Sequence, residues 1–304
     1  AYAMPGDSII PKAEAWIFDI QSGVSRRVGV EPQPGGFTSN DTVYSVVQWT
    51  SDSKRLFYTT RSRDYKTYRL YNVNARTGQA TQVIEEVGST YVELNQFTRY
   101  HPAWRVMGNG SELIWWSERD GWGHLYLYDG SGNLKNRITS GAWLVTDVIH
   151  VDEDERKVYF TAVGKEEVGN PYYQYLYKIN LDGSGLQLLS LENAAHTIKP
   201  FPSGELFIDQ YSTPNVPPIA VVRSSNGEII LEFESGNISR LEKAGWKPPV
   251  TFKVKGRDGV TDVYGLLWFP SDYDAAKSYP IIDYIYPGPQ VGSVTFYTFS
   301  ANGR

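Results

Sequence analysis

Two short apolar signatures recur along this chain in the same order, and no other feature restricts its fold as much. One is Leu-Tyr, any residue, an apolar residue and Asn or Asp: Leu70-Tyr71-Asn72-Val73-Asn74, Leu125-Tyr126-Leu127-Tyr128-Asp129 and Leu176-Tyr177-Lys178-Ile179-Asn180. A degraded fourth copy is Ile219-Ala220-Val221-Val222-Arg223, so the starts lie 55, 51 and 43 residues apart. The other signature precedes each copy, as Leu56-Phe57-Tyr58, Leu113-Ile114-Trp115, Val158-Tyr159-Phe160 and Leu206-Phe207-Ile208. Ahead of each lies a polar or glycine-rich turn: Ser51 to Lys54, Gly108 to Ser111, Asp152 to Glu155 and Pro202 to Gly204. Aromatic and β-branched runs bounded by such residues read as strands, and Ser111 to Gly130 reads as two antiparallel strands joined at Glu118-Arg119-Asp120-Gly121.

Repeats of this length with about four strands each mark the blades of a β-propeller. A blade cannot bury both faces of its sheet alone, so blades stack, and the 22 Tyr and 9 Trp supply the surface to be hidden. Regular strand spacing also suits a β-sandwich; two signatures recurring together in one order favour blades. The spacing predicts four-stranded antiparallel blades over 41–233, with Val46-Val47, Val148-Ile149 and Thr197-Ile198 in innermost strands. Trp143, delivered into a new repeat by the Ser140-Gly141 turn, is expected to be buried.

At the start, Ala15-Trp16-Ile17-Phe18-Asp19-Ile20 with Ser22-Gly23 resembles the second strand and its turn without a first, so the chain is expected to begin inside a blade. The pattern stops near Ser235. This divides the chain into a partial propeller, 1–235, and a following region, 236–304. In the latter Ile238 to Lys243 suits a short helix stopped by Pro248-Pro249. Phe252 to Lys255 and Val263 to Phe269 suit a hairpin turned at Gly256-Arg257-Asp258-Gly259. Pro280 to Tyr286, mostly apolar without alternation, suits a strand buried on both faces of an α/β sheet.

The net charge of −5, with both signs mixed, offers no basic stripe for nucleic acid. No apolar run approaches the roughly 18 residues of a membrane-spanning helix. Absence of cysteine excludes disulfides, thiolate metal sites and a cysteine nucleophile. His101, His124, His150 and His196 form no His-Glu-x-x-His motif and read as structural or exposed; no metal is expected.

In its ordered set of motifs the chain resembles the dipeptidyl peptidase IV branch of the prolyl oligopeptidase clan. The matching pieces are Ser117-Glu118-Arg119-Asp120-Gly121 with His124 to Asp129, Ile138 to Val145, Asn180-Leu181-Asp182-Gly183, and Lys277 to Ile282 through Tyr286-Pro287-Gly288-Pro289-Gln290. The resemblance implies a β-propeller followed by the start of an α/β-hydrolase domain. It also implies a serine exopeptidase that releases N-terminal dipeptides, with Xaa-Pro or Xaa-Ala the expected units, and no cofactor. Tyr286 matches the family tyrosine whose hydroxyl stabilises the oxyanion. Gly-x-Ser-x-Gly occurs nowhere, so a Ser-Asp-His triad in hydrolase order falls outside these 304 residues, and the chain alone is expected to be inactive.

The acidic pair that holds the substrate amine in this family precedes the matched region; Glu85-Glu86 and Glu166-Glu167 read instead as solvated loop charges. A peptide is the expected partner, self-association as a homodimer is compatible with the class, and an extracytoplasmic location is expected. Two other functions fit the same residues: a propeller that binds peptide or protein without chemistry, and an acyl-aminoacyl or endopeptidase of the same clan.

Overall fold

The computed structural model describes residues 6–34, 47–93, 104–285 and 297–301. Two compact units make up the chain, one of residues 1–160 with 179–186 and one of 161–178 with 187–304. The first strands are β1 (Lys12–Ala13), β2 (Trp16–Phe18), β3 (Ser25–Arg27) and β4 (Gln33–Pro34). β2 and β3 form a hairpin, and β1 pairs with β4.

Four four-stranded sheets follow among the described residues, each with its strands in chain order. They are β5 (Val47–Trp49), β6 (Arg55–Arg61), β7 (Thr67–Asn74) and β8 (Ala80–Val87); then β9 (Arg105–Met107), β10 (Glu112–Ser117), β11 (His124–Asp129) and β12 (Leu134–Arg137). The third comprises β13 (Leu144–Asp152), β14 (Lys157–Val163), β15 (Tyr175–Asn180) and β16 (Gln187–Leu188). The fourth comprises β17 (Ala195–Pro200), β18 (Leu206–Thr213), β19 (Val216–Ser224) and β20 (Ile229–Ser235). The two signatures are thus the second and third strands of each sheet, which is the blade pattern. Val47, Val148-Ile149 and Thr197-Ile198 each lie in the first strand of a sheet; Val46 lies outside the described residues.

One turn closes every third-to-fourth-strand hairpin, and β2–β3 carries it too. In four of the five an Asx or Ser side chain accepts from backbone N–H groups just ahead: Asp19 from Gln21 and Ser22, Asn74 from Arg76 and Thr77, Asp129 from Ser131 and Asn133, Ser224 from Asn226 and Glu228; in the β15–β16 turn Asn180 donates to Ser184 Oγ and Asp182 accepts from the Ser184 N–H. The glycine that follows donates back to the opening residue's carbonyl at 2.8–3.0 Å, for Gly23, Gly78, Gly132, Gly183 and Gly227 alike. These glycines have φ of 70°, 75°, 88°, 90° and 95°, and four of them also seat against the last strand of the preceding sheet. A Cβ on Gly78 would stand 2.3 Å from the Arg27 carbonyl oxygen, on Gly132 1.6 Å from Val83, on Gly183 3.0 Å from Arg137 and on Gly227 2.8 Å from Leu189.

Apolar side chains fill the space between sheets. In the first unit Ile17 of β2 packs with Val28, Leu56 and Val73. Phe57, Leu70 and Ile84 meet Trp104, Leu113, Trp115, Tyr126 and Tyr128 of the next sheet. Trp143 is 6% exposed, stacked on Phe160 with centroids 6.0 Å apart and edge-on to His124 at 4.8 Å, as expected for a residue entering a new sheet.

Beyond β20 lie helix α1 (Ser239–Lys243) and the hairpin of β21 (Val250–Lys255) and β22 (Asp262–Leu267), both where the sequence puts them. The expected buried strand is not formed. Residues 281–285 carry no ladder, and Ile281 and Ile282 are 87% and 92% exposed. Apolar, β-branched composition makes a strand only where neighbours complete the hydrogen bonds and cover both faces, and the described residues supply none there.

Candidate functional site

In the first unit a group of polar side chains converges at the β10–β11 turn. Period-two alternation puts Leu113, Trp115 and Ser117 on one face of β10, and the register sets Tyr128 opposite Leu113 and Tyr126 opposite Trp115. Glu86 of β8 reaches this face: Trp115 Nε1 donates to its Oε2 at 2.7 Å and the Ser117 hydroxyl to its Oε1. Arg119 completes the group, donating from Nη1 to the Tyr128 hydroxyl at 2.6 Å and from Nε to Ser117 Oγ at 2.9 Å, with Nη2 3.4 Å from Glu86. Its guanidinium lies 4.5 Å from the centroid of the Tyr126 ring. Tyr126 donates to Asp120 at 2.7 Å, and Arg137 donates to the same oxygen at 3.0 Å.

Glu86 is therefore not a solvated loop charge. It lies in β8 with its side chain 13% exposed, because three donors compensate the carboxylate for lost water. Glu85 pairs with Arg69 across the strands. Of the second pair, Glu166 accepts from the Tyr177 hydroxyl at 2.8 Å while Glu167 is exposed. Loss of water and the nearby Glu86 charge hold the Glu118 carboxyl above its ordinary range. Burial and the hydrogen bond to Asp120 push the Tyr126 hydroxyl well up, so it stays a donor.

The histidines have no free working nitrogen where both ring contacts are defined. His124 faces Thr139 Oγ1 through Nδ1 at 3.0 Å and the Gly141 carbonyl through Nε2 at 2.9 Å; burial holds its pKa down. In the second unit Glu192, His196 and Asp209 converge as a metal site might. Arg223 already fills that role: Nη2 lies 2.7 Å from Glu192 and 2.8 Å from Asp209. His196 Nδ1 meets both Asp209 oxygens at 2.9 and 3.0 Å, and Nε2 the Glu192 carbonyl at 3.0 Å. A second cation there would face a buried guanidinium, so the donor set does not fit a metal. Sequence reading quoted Ser117 to Asp129 as a motif but missed both groups as clusters, since Glu86 in the first, and Glu192 against Asp209 and Arg223 in the second, come from elsewhere in the chain. The one local signal was Arg223 ending an apolar run.

Both groups tie neighbouring strands together and hold buried charge in place. Tyr286 lies outside the described residues. A model of the family described as "Dipeptidyl peptidase IV (DPP IV) N-terminal region" matches residues 1–218. The chain belongs to this family. Among curated relatives of this dipeptidyl peptidase IV-type region, "Probable dipeptidyl-aminopeptidase B" of Aspergillus clavatus is 27% identical over 92% of this chain and 31% of its own length. "Dipeptidyl peptidase 4" of Trichophyton tonsurans is 26% identical over 85% of this chain and 33% of its own. The chain thus spans about a third of the length of these relatives. The crystal structure of Porphyromonas gingivalis dipeptidyl peptidase 4 superposes with a TM-score of 0.75 at 22% identity, over 96% of this chain and 40% of that one. A putative dipeptidyl aminopeptidase IV from Bacteroides ovatus gives 0.70 at 23% identity, over 95% and 43%. These two likenesses establish the fold, that of the propeller region.

Proposed function

We propose that this chain is the propeller region, with the opening of the hydrolase region, of a serine-type dipeptidyl peptidase that releases N-terminal Xaa-Pro or Xaa-Ala units. The observation that carries the reading is the family match across 1–218, which contains the Ser117 to Asp129 motif. The names of the fungal relatives support it. In this reading the sheets hold and select the peptide, and Tyr286, at the end of the Pro280 to Tyr286 segment, donates its hydroxyl to the oxyanion as the acyl carbonyl is attacked. The nucleophile and its base come from sequence outside these 304 residues, so the chain alone does not turn over substrate.

The test is a side-by-side assay of residues 1–304 and of the full reading frame on chromogenic Xaa-Pro and Xaa-Ala dipeptide amides, with N-acetylated versions alongside. Turnover by the long form alone, blocked by N-acetylation and reduced about 100-fold or more by Tyr286→Phe, is the expected result. Preference for the acetylated substrates would instead indicate an acyl-aminoacyl or endopeptidase, and no turnover by the long form a binding protein.

A further inference from the structure

His196 stands at the joint where the chain passes from the third sheet to the fourth. Its backbone N–H in β17 donates to the Gln174 carbonyl at 2.9 Å, and the Gln174 amide donates back to the His196 carbonyl at 3.0 Å. The ring is buried with both nitrogens facing acceptors. Nδ1 lies 2.9 and 3.0 Å from the two Asp209 oxygens, and Nε2 lies 3.0 Å from the Glu192 carbonyl oxygen. Arg223 donates to the Asp209 carboxylate from Nε at 2.9 Å, which holds it ionised. A carboxylate and a carbonyl have no hydrogen to give, so each ring nitrogen supplies its own. His124 is the contrast: its Nδ1 faces the Thr139 hydroxyl, which can donate, and a single ring hydrogen then serves both contacts.

Charge balance leads to the same proton count. The Asp209 and Arg223 side chains are 0% and 1% exposed, and Arg223 reaches Glu192 as well as the Leu189 and Gly227 carbonyls. Two carboxylates against one guanidinium leave a negative charge uncompensated in a site with little water; a second ring proton makes the group neutral. The rings packed on His196 are Tyr175 of β15 and Tyr211 of β18, with centroids 5.6 and 5.3 Å away. Burial pushes both hydroxyls up, so they stay neutral and add no charge.

The geometry points to a proton-operated latch: His196 is an imidazolium, and its second proton bolts the connecting segment 189–194 to the fourth sheet. β17, β18 and β19 supply His196, Asp209 and Arg223, and the carbonyls they hold, Leu189 and Glu192, belong to the segment arriving from the third sheet. Without that proton Nε2 turns a lone pair on the Glu192 carbonyl and the buried negative charge returns, and both effects open the joint. A histidine released into water loses this proton near pH 6.5. Below that pH the open and closed forms both hold it, and the latch is at full strength. Above it the closed form binds one more proton than the open one, so the latch weakens about tenfold per pH unit until the closed ring itself titrates.

The experiment uses the 304-residue chain carrying nitrogen-15 histidine. Ring-nitrogen NMR at pH 7.5 is expected to show a histidine with hydrogen on both nitrogens, its signal absent from His196→Gln. Amide exchange followed by mass spectrometry, corrected for the intrinsic effect of pH, is expected to show protection of 189–200 falling about tenfold between pH 7 and 8 while that of 112–129 holds. In His196→Gln, whose side chain does not titrate, protection of 189–200 should be level across the same range. The two wild-type readings stand whether or not that variant folds. A His196 ring with one bare nitrogen at pH 7.5, wild-type protection of 189–200 that ignores pH, or an equally steep fall in the variant would each overturn the proposal.

Discussion

Asp147 in β13 keeps a carboxyl where water is scarce, its side chain 19% exposed and 3.8 Å from Arg105 Nη2. Loss of solvent pushes its pKa up to about 7, against the opposing pull of Arg105. The unfolded chain releases this proton near pH 4, so between about pH 4 and 7 the folded chain binds more protons than the unfolded one. Stability therefore falls as pH rises through that window, by up to about 4 kcal/mol, and levels off above it. Asp147→Asn, neutral and nearly isosteric, is expected to remove this slope; urea unfolding at pH 4.5, 6 and 7.5 measures it. Slopes that match between variant and wild type would rule the assignment out. Nothing in the sequence marked Asp147, and Glu86 stood out only as half of an acidic pair that reads as solvated. A carboxyl's environment is set by strands that approach it from elsewhere in the chain, whereas Trp143 was legible because its turn and its apolar followers are its immediate neighbours.

For the strands, local chemistry sufficed. The paired signatures located β6 and β7, β10 and β11, β14 and β15, β18 and β19, since alternation and turn residues act within a few positions. The same logic failed at 281–285, where the residue types suit a strand but pairing must come from outside the segment. Turn glycines separate two costs that sequence alone does not distinguish. Gly121 and Gly132 share φ of 88°, yet a Cβ on Gly121 meets nothing within 4 Å while one on Gly132 meets the Val83 carbonyl at 1.6 Å. Gly121→Ala is expected to cost about 1 kcal/mol, for left-handed backbone alone. Gly132→Ala is expected to cost about 3 kcal/mol or more, since the sheets must also part. Chemical denaturation of the two variants compares them; equal losses would mean that the glycine–carbonyl seat contributes nothing.

At the scale of the whole chain, order is unevenly distributed. The four sheets are hydrogen-bonded strand to strand, but residues 268–285 form no ladder, and the Lys277 side chain is 68% exposed. Brief trypsin treatment should cut at Lys277 before any site between 105 and 235, as mass spectrometry of the first fragments will show; early cuts inside the sheets would contradict this. Each four-stranded sheet takes its strands in chain order, and the same glycine seat joins sheet to sheet within each unit. Such a chain is written as a sentence of like clauses. Adding or deleting one whole clause leaves every other pairing intact and requires no strand to be rethreaded, so the number of repeats is free to vary during descent while the rule for joining them stays fixed.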